Sequence, residues 1–207
     1  MYPLQLVKLN TELTLYVPDP ARIQSTYQKL AAENTATIFP YWAKVWASAH
    51  AMTRFLQEEP SFVQNKRVLE IGAGIGIPSF SIASLTKKIT ISDHVPDAVA
   101  LLQKNIDYLA LNNAQAACID WNTISENITV DTILLSDTNY EPSAHNHLIL
   151  LIDKFINKGS SIILATPNRL ASNPFIERIS KYINSTKMYS IPENGTNKEI
   201  IVMVLKK

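Results

Sequence analysis

The chain has little glycine, little cysteine and no excess of charge of one sign. Its 207 residues include five glycines and one cysteine, and 19 Lys and Arg offset 18 Asp and Glu to a net charge of +1. A protein that holds nucleic acid mainly through phosphates usually carries a clear basic excess, so composition gives that function no support. The single cysteine, Cys118, cannot form an internal disulfide, which favours a cytoplasmic, reducing compartment.

Long hydrophobic runs are missing as well. The longest, at 148–152 and 162–165, fall far below the roughly 18 residues that a membrane-spanning helix needs. The first residues contain no basic stretch followed by an apolar one, so we expect no signal peptide. A content of 46% apolar and 18% charged residues is typical of a globular protein. We predict one domain over residues 1–207.

Beyond residue 60, short apolar runs alternate with stretches of helical periodicity. This alternation predicts an α/β three-layer sandwich, in which a mostly parallel sheet is covered by helices on both faces. Residues 61–207 would form this core, and residues 1–60 a hairpin and helix extension whose position suggests a lid. The predicted strands are 68–71, 88–92, 114–119, 130–136 and 160–165, with an antiparallel closing pair at 187–191 and 199–205; the predicted N-terminal hairpin covers 4–17 around Asn10-Thr11, and the predicted helices include 20–33, 43–58, 142–156 and 174–183.

Three of the five glycines fall together at Gly72, Gly74 and Gly76, directly after the first core strand. Glycines in a strand-to-helix turn allow positive φ and a close approach of backbone to ligand, and the helix start offers free N–H groups. A dinucleotide fold requires G-x-G-x-x-G, with glycine where Ile77 stands. With Glu70 two residues ahead, G-x-G-x-G instead resembles motif I of the S-adenosylmethionine-dependent methyltransferases, which implies a seven-stranded Rossmann-like sheet. A nucleotide fold of another kind and a turn without ligand are the alternatives.

Acidic residues follow the next two predicted strands, at the sheet edge where parallel α/β folds bind ligands. Asp93 can accept two hydrogen bonds from ribose hydroxyls, or it can cap the helix that Pro96 begins. In the resembled fold the loop after the third strand covers the adenine. This implies that Asp120 accepts the exocyclic amine and that Trp121 lies on the ring face. Simple packing is the alternative for this tryptophan.

The loop after the fourth strand limits the resemblance to one branch of these methyltransferases. It contains Ser136 and then Asp137-Thr-Asn-Tyr140, a D-x-x-Y pattern. This pattern is similar to the motif of a branch of the seven-strand methyltransferases that act on proteins, mainly on lysine, often called methyltransferase family 16. Members of that branch tend to carry a tryptophan segment before motif I and a tryptophan after the third strand, where this chain has Trp46 and Trp121. A capping Asp137 with Tyr140 packed at a helix start is the alternative.

The resemblance implies S-adenosylmethionine as the cofactor and a side-chain nitrogen of a protein, lysine above all, as the methyl acceptor. In-line transfer needs a neutral amine, although a lysine with its usual pKa of about 10.4 is mostly protonated. We therefore expect Asp137 to attract and orient the ammonium and Tyr140 to add a ring face or hydroxyl, as the catalytic residues. The predicted cofactor-binding residues are Trp46, Glu70, Gly72, Gly74, Gly76, Asp93, Asp120, Trp121 and Ser136.

Other acceptors and activities stay open at this point. A minority of the resembled family act on arginine or other targets, so D-x-x-Y does not fix the acceptor. A small molecule or RNA could also be the acceptor on the same fold, because fold does not fix the substrate. A nicotinamide-dependent oxidoreductase and a non-catalytic module are weaker alternatives. Thr138 and Asn139 stand where amino-methylating enzymes of nucleic acid often have prolines, which argues against nucleic acid. We expect no metal site, because His145 and His147 have no further ligand at suitable spacing.

Overall fold

A seven-stranded sheet and a separate two-stranded hairpin form the framework of the computed structural model, which describes residues 2–9, 13–34, 37–168, 174–193 and 195–207. The strands are β1 (Leu4–Lys8), β2 (Thr14–Pro18), β3 (Arg67–Ile71), β4 (Lys88–Asp93), β5 (Ala114–Cys118), β6 (Thr132–Ser136), β7 (Ser161–Pro167), β8 (Ile183–Glu193) and β9 (Thr196–Leu205). The helices are α1 (Pro20–Glu33), α2 (Ala47–Glu58), α3 (Ile77–Ile82), α4 (Pro96–Tyr108), α5 (His145–Asn157) and α6 (Pro174–Ile179). Within the described ranges no helix has the length and apolar character to cross a membrane.

The strand order of the large sheet is β5-β4-β3-β6-β7-β9-β8. Strands β3 to β7 pair in parallel, and β9 pairs antiparallel with both β7 and β8. The chain leaves β3 toward β4 on one side and returns to β6 on the other, so the carboxyl ends of these strands border a topological switch point, where such sheets bind ligands. The predicted fold class, a mostly parallel sheet with an antiparallel C-terminal pair and an N-terminal hairpin, is confirmed.

Alternating residues of the central strands supply two apolar cores, one on each face of the sheet. On one face Val68 and Leu134 pack with helices α2, α3 and α4 and with Leu15 of the hairpin. On the other face Leu69 and Leu135 pack with helices α5 and α6. Both faces of β3 and β6 are therefore covered, which explains why 68–69 and 133–135 are apolar on both faces of the sheet.

A buried amide side chain fastens the N-terminal hairpin to this core. Asn105 of α4 is fully buried, and its Oδ1 accepts the Tyr16 N–H at 2.8 Å while its Nδ2 donates to the Tyr16 carbonyl at 3.0 Å. The side chain thus satisfies both backbone groups of one β2 residue. Helix α1 begins at Pro20 with Asp19 as its N-cap and has the predicted range. The predicted turn residues Asn10-Thr11 lie outside the described residues.

Two predicted helix ranges are wrong. Helix α2 begins at Ala47 and not at residue 43, because Tyr41–Ala43 forms a 3-10 turn and Trp46 is extended at φ −104° and ψ 144°. Helix α6 ends at Ile179, and after a further 3-10 turn the chain enters β8. Strand β8 is longer than predicted, because β9 offers it pairing partners from Thr196 to Leu205.

The connection between β5 and β6, residues 119–131, contains a 3-10 turn at Trp121–Thr123 and no α-helix. The register aligns Leu69, Thr90 and Gln115 across β3, β4 and β5, so these side chains share one face of the sheet. A cavity of about 350 Å³ lies on this part of the face. Strand β5 is therefore packed against α4 on one face and open on the other.

Candidate active site

Four strand ends lie side by side at one edge of the sheet. The register pairs Ile71 of β3 with Ser92 of β4 and with Leu135 of β6, and it pairs Asp93 with Cys118 of β5. The residues that follow these strands are therefore neighbours in space. They form the crevice beside the switch point, which is the place predicted for the site.

The glycine turn between β3 and α3 uses left-handed backbone. Gly72, Gly74 and Gly76 have φ values of +67°, +54° and +78°. Gly74 also abuts a distant segment, since a Cβ at this position would lie 2.8 Å from the Trp42 carbonyl oxygen. A side chain here would collide with backbone, so only glycine allows the turn and the segment at 41–43 to meet.

Asp93 braces the glycine turn from the end of β4. It is 4% exposed, its Oδ2 accepts the Gly74 N–H at 2.9 Å, and its Oδ1 accepts the Val95 N–H at 3.0 Å. A carboxylate can accept about four hydrogen bonds, so these two leave capacity for about two more. Asp93 thus holds the glycine turn and the backbone just ahead of α4, whose N-cap is Val95 and not Asp93. It retains capacity for ribose hydroxyls.

Gly72 is the point where three predicted segments meet. A Cβ on Gly72 would lie 3.1 Å from the Thr138 methyl group and 3.3 Å from the Trp121 ring. Trp121 is half-buried, whereas Asp120 is exposed and caps the following 3-10 turn, its Oδ1 accepting the Asn122 N–H at 2.8 Å. The indole therefore lies at the wall of the crevice, and the Asp120 carboxylate is engaged locally.

Glu70 is fully buried and bonded to helix α3. Its Oε2 accepts the Ser79 N–H at 3.2 Å and also the Ser79 hydroxyl, and Oε1 has no hydrogen-bond partner among the described residues. Desolvation by burial raises the pKa of Glu70 from 4.5 to about 7, against the opposing effect of the Ser79 hydrogen bonds. Glu70 thus joins the strand before the glycine turn to the helix after it.

The loop after β6 combines left-handed backbone with buried polar groups. Asp137 has a φ of +54°, and its N–H donates to the Ala165 carbonyl of β7 at 2.9 Å. Thr138 and Asn139 are 3% and 5% exposed, yet Thr138 Oγ1 and Asn139 Oδ1 have no hydrogen-bond partner within the described part of the chain. Buried polar atoms without a partner are rare in proteins, and they suit a polar ligand. His145 Nε2 supports the loop from α5 at 3.0 Å from the Asn139 carbonyl oxygen.

Tyr140 ends this loop among aromatic rings. It is 45% exposed, its ring centroid lies 6.0 Å from that of Tyr41, and Tyr41 lies 6.4 Å from Trp46. The Trp46 indole N–H donates to the Tyr41 carbonyl at 3.1 Å. Desolvation, and then the charges of Glu141 and Asp93, raise the pKa of Tyr140 above its usual 10.0, so its phenol is protonated at neutral pH.

The predicted site residues fall into three groups, of which the third lies in the strands that support the crevice. Those around the glycine turn are Gly72, Gly74, Gly76, Asp93, Asp120 and Trp121. Those on the loop after β6 and among the rings are Asp137, Tyr140 and Trp46. The two in the supporting strands are Glu70, under α3, and Ser136, the last residue of β6 in register with Ala165.

Sequence reasoning gives no role to Tyr41. For Trp42, one helical turn ahead of Trp46, it leaves two alternatives, a place in the wall of the site or in the core. Trp42 in fact contributes its carbonyl to the Gly74 contact, and its ring packs edge to face on Tyr2 at 5.9 Å. Residues of a 3-10 turn have no periodicity that could reveal their direction. The aromatic-rich run Phe39-Pro-Tyr-Trp42 was the available signal.

Comparison with known proteins gives three findings. A family model described as lysine methyltransferase matches residues 28–182. The chain is 28% identical over 161 residues to a calmodulin-lysine N-methyltransferase of Arabidopsis thaliana, covering 72% of this chain and 52% of that protein. It is 26% identical over 132 residues to the electron transfer flavoprotein beta subunit lysine methyltransferase of Danio rerio, covering 63% and 51%.

Among solved structures, the fold resembles N-methyltransferase NodS of Bradyrhizobium japonicum WM9 in complex with S-adenosylhomocysteine. The TM-score is 0.61 at 16% identity, over 88% of this chain and 99% of that one. At this identity the likeness concerns the fold alone. The chain spans about half the length of the two curated relatives described above.

Proposed function

The chain belongs to the lysine methyltransferase family, and from this premise we propose that it transfers a methyl group from S-adenosylmethionine to a lysine side chain of a protein. The observation that carries the proposal is the meeting of two motifs, where Thr138 of the D-x-x-Y loop lies against Gly72 of the glycine turn. This contact puts residues that suit a methyl donor beside residues that suit an amine.

The crevice residues fit S-adenosylmethionine. The glycine turn lets a ligand approach the backbone closely, Asp93 has acceptor capacity for ribose hydroxyls, and Trp121 offers a flat face to adenine. The buried Thr138 hydroxyl and Asn139 amide oxygen, which lack partners among the described residues, suit the polar groups of the methionine part. When bound, the cofactor supplies an electrophilic methyl group on a sulfonium.

Asp137 and Tyr140 serve the acceptor in this proposal. The lysine ammonium has a pKa of about 10.4 and must lose a proton, either to the Asp137 carboxylate or to water, before its nitrogen attacks. The Asp137 carboxylate attracts the ammonium and holds the nitrogen in line, because its backbone is fixed by the bond to β7. The exposed Tyr140 ring provides an aromatic face for the same cation.

The relatives support a protein as the acceptor. The two described above are lysine methyltransferases of calmodulin and of the electron transfer flavoprotein beta subunit. A net charge of +1 gives no general attraction to nucleic acid. Small molecules and RNA remain the alternative acceptors, and the assay below distinguishes them.

The lid predicted within residues 1–60 is, in this proposal, the part ahead of α2, because α2 packs in the core of the same domain. The support is twofold: the Trp42 carbonyl touches the glycine turn, and Asn105 holds strand β2. The cytoplasmic location inferred from the single Cys118 stays a prediction.

Calorimetric titration tests the cofactor first. We expect the purified chain to bind S-adenosylhomocysteine with micromolar affinity and to show no heat with NADH. Binding of NADH in place of S-adenosylhomocysteine would assign the glycine turn to an oxidoreductase and overturn the proposal.

Asp137→Asn tests the acceptor chemistry. Asparagine tolerates the left-handed backbone of this position, whereas alanine would add strain to the loss of charge. We expect S-adenosylhomocysteine affinity within about twofold of wild type and labelled methyl transfer into lysate proteins lower by on the order of 10². Asp107→Asn, an exposed aspartate on α4, is the matched control. Undiminished transfer by Asp137→Asn would remove its carboxylate from the mechanism, and label in RNA or small molecules alone would change the acceptor class.

A further inference from the structure

Four aromatic rings form a continuous surface beside the D-x-x-Y loop, which we call the aromatic platform: Phe39, Tyr41, Trp46 and Tyr140. Tyr41 is the central ring, at 5.2 Å from Phe39, 6.4 Å from Trp46 and 6.0 Å from Tyr140 between ring centroids. The platform therefore joins the segment ahead of α2 to the residue that ends the D-x-x-Y loop.

The platform is open to solvent although it is apolar. Tyr41 and Tyr140 are 48% and 45% exposed, and the neighbouring residues Ile38 and Val45 are 80% and 37% exposed. Scattered exposed apolar residues are ordinary, but contiguous ones mark interaction surfaces. Tyr41 and Tyr140 lie side by side, and Tyr140 belongs to the proposed acceptor site.

Two contacts with backbone carbonyls hold the platform in position, and neither of them uses the exposed ring faces. The Tyr41 carbonyl accepts the Trp46 indole N–H at 3.1 Å, and the neighbouring Trp42 carbonyl lies against Gly74. A rigid surface of this kind loses little conformational entropy when a ligand binds, which favours affinity.

The charges beside the platform suit a lysine. The negative charges of Glu141, Asp93 and Asp137 all act on the Tyr140 phenol. The Lys44 ammonium already lies 4.9 Å from the centroid of the Trp46 ring, which shows that a ring of the platform accommodates a lysine of the chain itself. Rings next to carboxylates thus match a side chain with an apolar stem and a cationic end.

From this juxtaposition we infer that the aromatic platform binds the segment of a protein substrate that flanks the acceptor lysine, and that it selects segments with apolar residues next to that lysine. The inference rests on the proposed function. In this arrangement the lysine stem lies along Tyr140 toward Asp137, and the flanking apolar side chain packs on Tyr41. Tyr41 is accordingly a residue that determines substrate specificity.

Binding of two capped pentapeptides to the chain saturated with S-adenosylhomocysteine tests the inference. Both have a central lysine, one flanked by alanines and one by leucines, and their affinities are measured by calorimetry. We expect the leucine peptide to bind wild type about tenfold more tightly. We expect Tyr41→Ala to abolish this preference while S-adenosylhomocysteine affinity is unchanged, and Tyr41→Phe to keep it.

Tyr108→Ala is the matched control. Tyr108 is 45% exposed and makes an edge contact with Tyr16 at 5.2 Å, on α4 and outside the platform. The inference is overturned if wild type binds the two peptides equally or not at all, if Tyr41→Ala retains the preference, or if Tyr108→Ala loses it. Failure of the proposed function has a different signature, since S-adenosylhomocysteine binding or methyl transfer into lysate proteins would then be missing.

Discussion

The buried carboxyl of Glu70 predicts that the stability of the chain falls as pH rises. Its folded-state pKa of about 7 lies above the ordinary 4.5, because burial disfavours the charged form. The folded state therefore holds a proton that the unfolded state has lost. This contribution to stability is fully present below about pH 4.5 and disappears as pH rises through about 7.

The size of the effect follows from the pKa difference. At about 1.4 kcal/mol per pH unit, raising a pKa from 4.5 to about 7 corresponds to about 3 kcal/mol of unfolding free energy. Glu70→Gln mimics the protonated acid, since its amide oxygen still accepts from Ser79 and its NH2 takes the place of Oε1. The variant should match wild type near pH 5 and gain about 2.5 kcal/mol on it by pH 9. In a chain of this length that is roughly 5–10 °C in melting temperature.

Thermal unfolding followed by circular dichroism at pH 5, 7 and 9 measures this gap. Glu33→Gln, which removes an exposed glutamate at the end of α1, is the control for the loss of one carboxylate from the surface. Parallel pH profiles for wild type and Glu70→Gln would refute the reasoning, because they would mean that Glu70 titrates alike in the folded and unfolded chain. A gap that widens toward acid pH would mean that folding lowers the pKa of Glu70, which is the opposite of the shift argued here.

Three further substitutions test contacts of the site and of the fold around it. Gly74→Ala should weaken S-adenosylhomocysteine binding at least about tenfold in calorimetry, because its Cβ would meet the Trp42 carbonyl at 2.8 Å on left-handed backbone. Asn105→Ala should lower the free energy of unfolding by about 2 kcal/mol in denaturant and open the hairpin to limited proteolysis. It leaves the N–H and the carbonyl of Tyr16 in β2 without their partner. Tyr189→Phe should cost about 1 kcal/mol in thermal unfolding, because the hydroxyl donates to Glu58 at 2.7 Å; an unchanged melting temperature would contradict this.

The parts of the fold that local signals determine were predictable. Helix α1 has Asp19 as a cap and Pro20 as its first residue, and its predicted range is correct. Helix α2 has no such start signal. It follows a 3-10 turn at Tyr41–Ala43, whose Trp42 carbonyl meets the glycine turn, and the sequence does not display that contact. Strand β8 has mostly exposed residues, so it lacks an apolar pattern, and only its pairing with β9 defines its length.

The site residues also divide into those that local patterns in the sequence reveal and those that only tertiary contacts define. The glycine turn and the D-x-x-Y loop were visible because their chemistry depends on spacing along the chain. The strand alternation that puts Glu70 on the face of Val68 was also readable, and it would have indicated a place under α3. The place of Tyr41 at the site depends on the contact between two loops that are distant in the chain, which one sequence does not show.

Strand β5 links the open face of the sheet to the dynamics of the site. It lies at the sheet edge, has no fully buried residue, and faces the cavity of about 350 Å³ on one side. Such a strand opens locally at a lower free energy than the central β3 and β6. The turn bearing Trp121 follows β5 directly, so the wall of the crevice is anchored to a strand whose amide hydrogens should exchange sooner than those of β3 and β6. A ligand packed on Trp121 should therefore slow the exchange of the β5 amides.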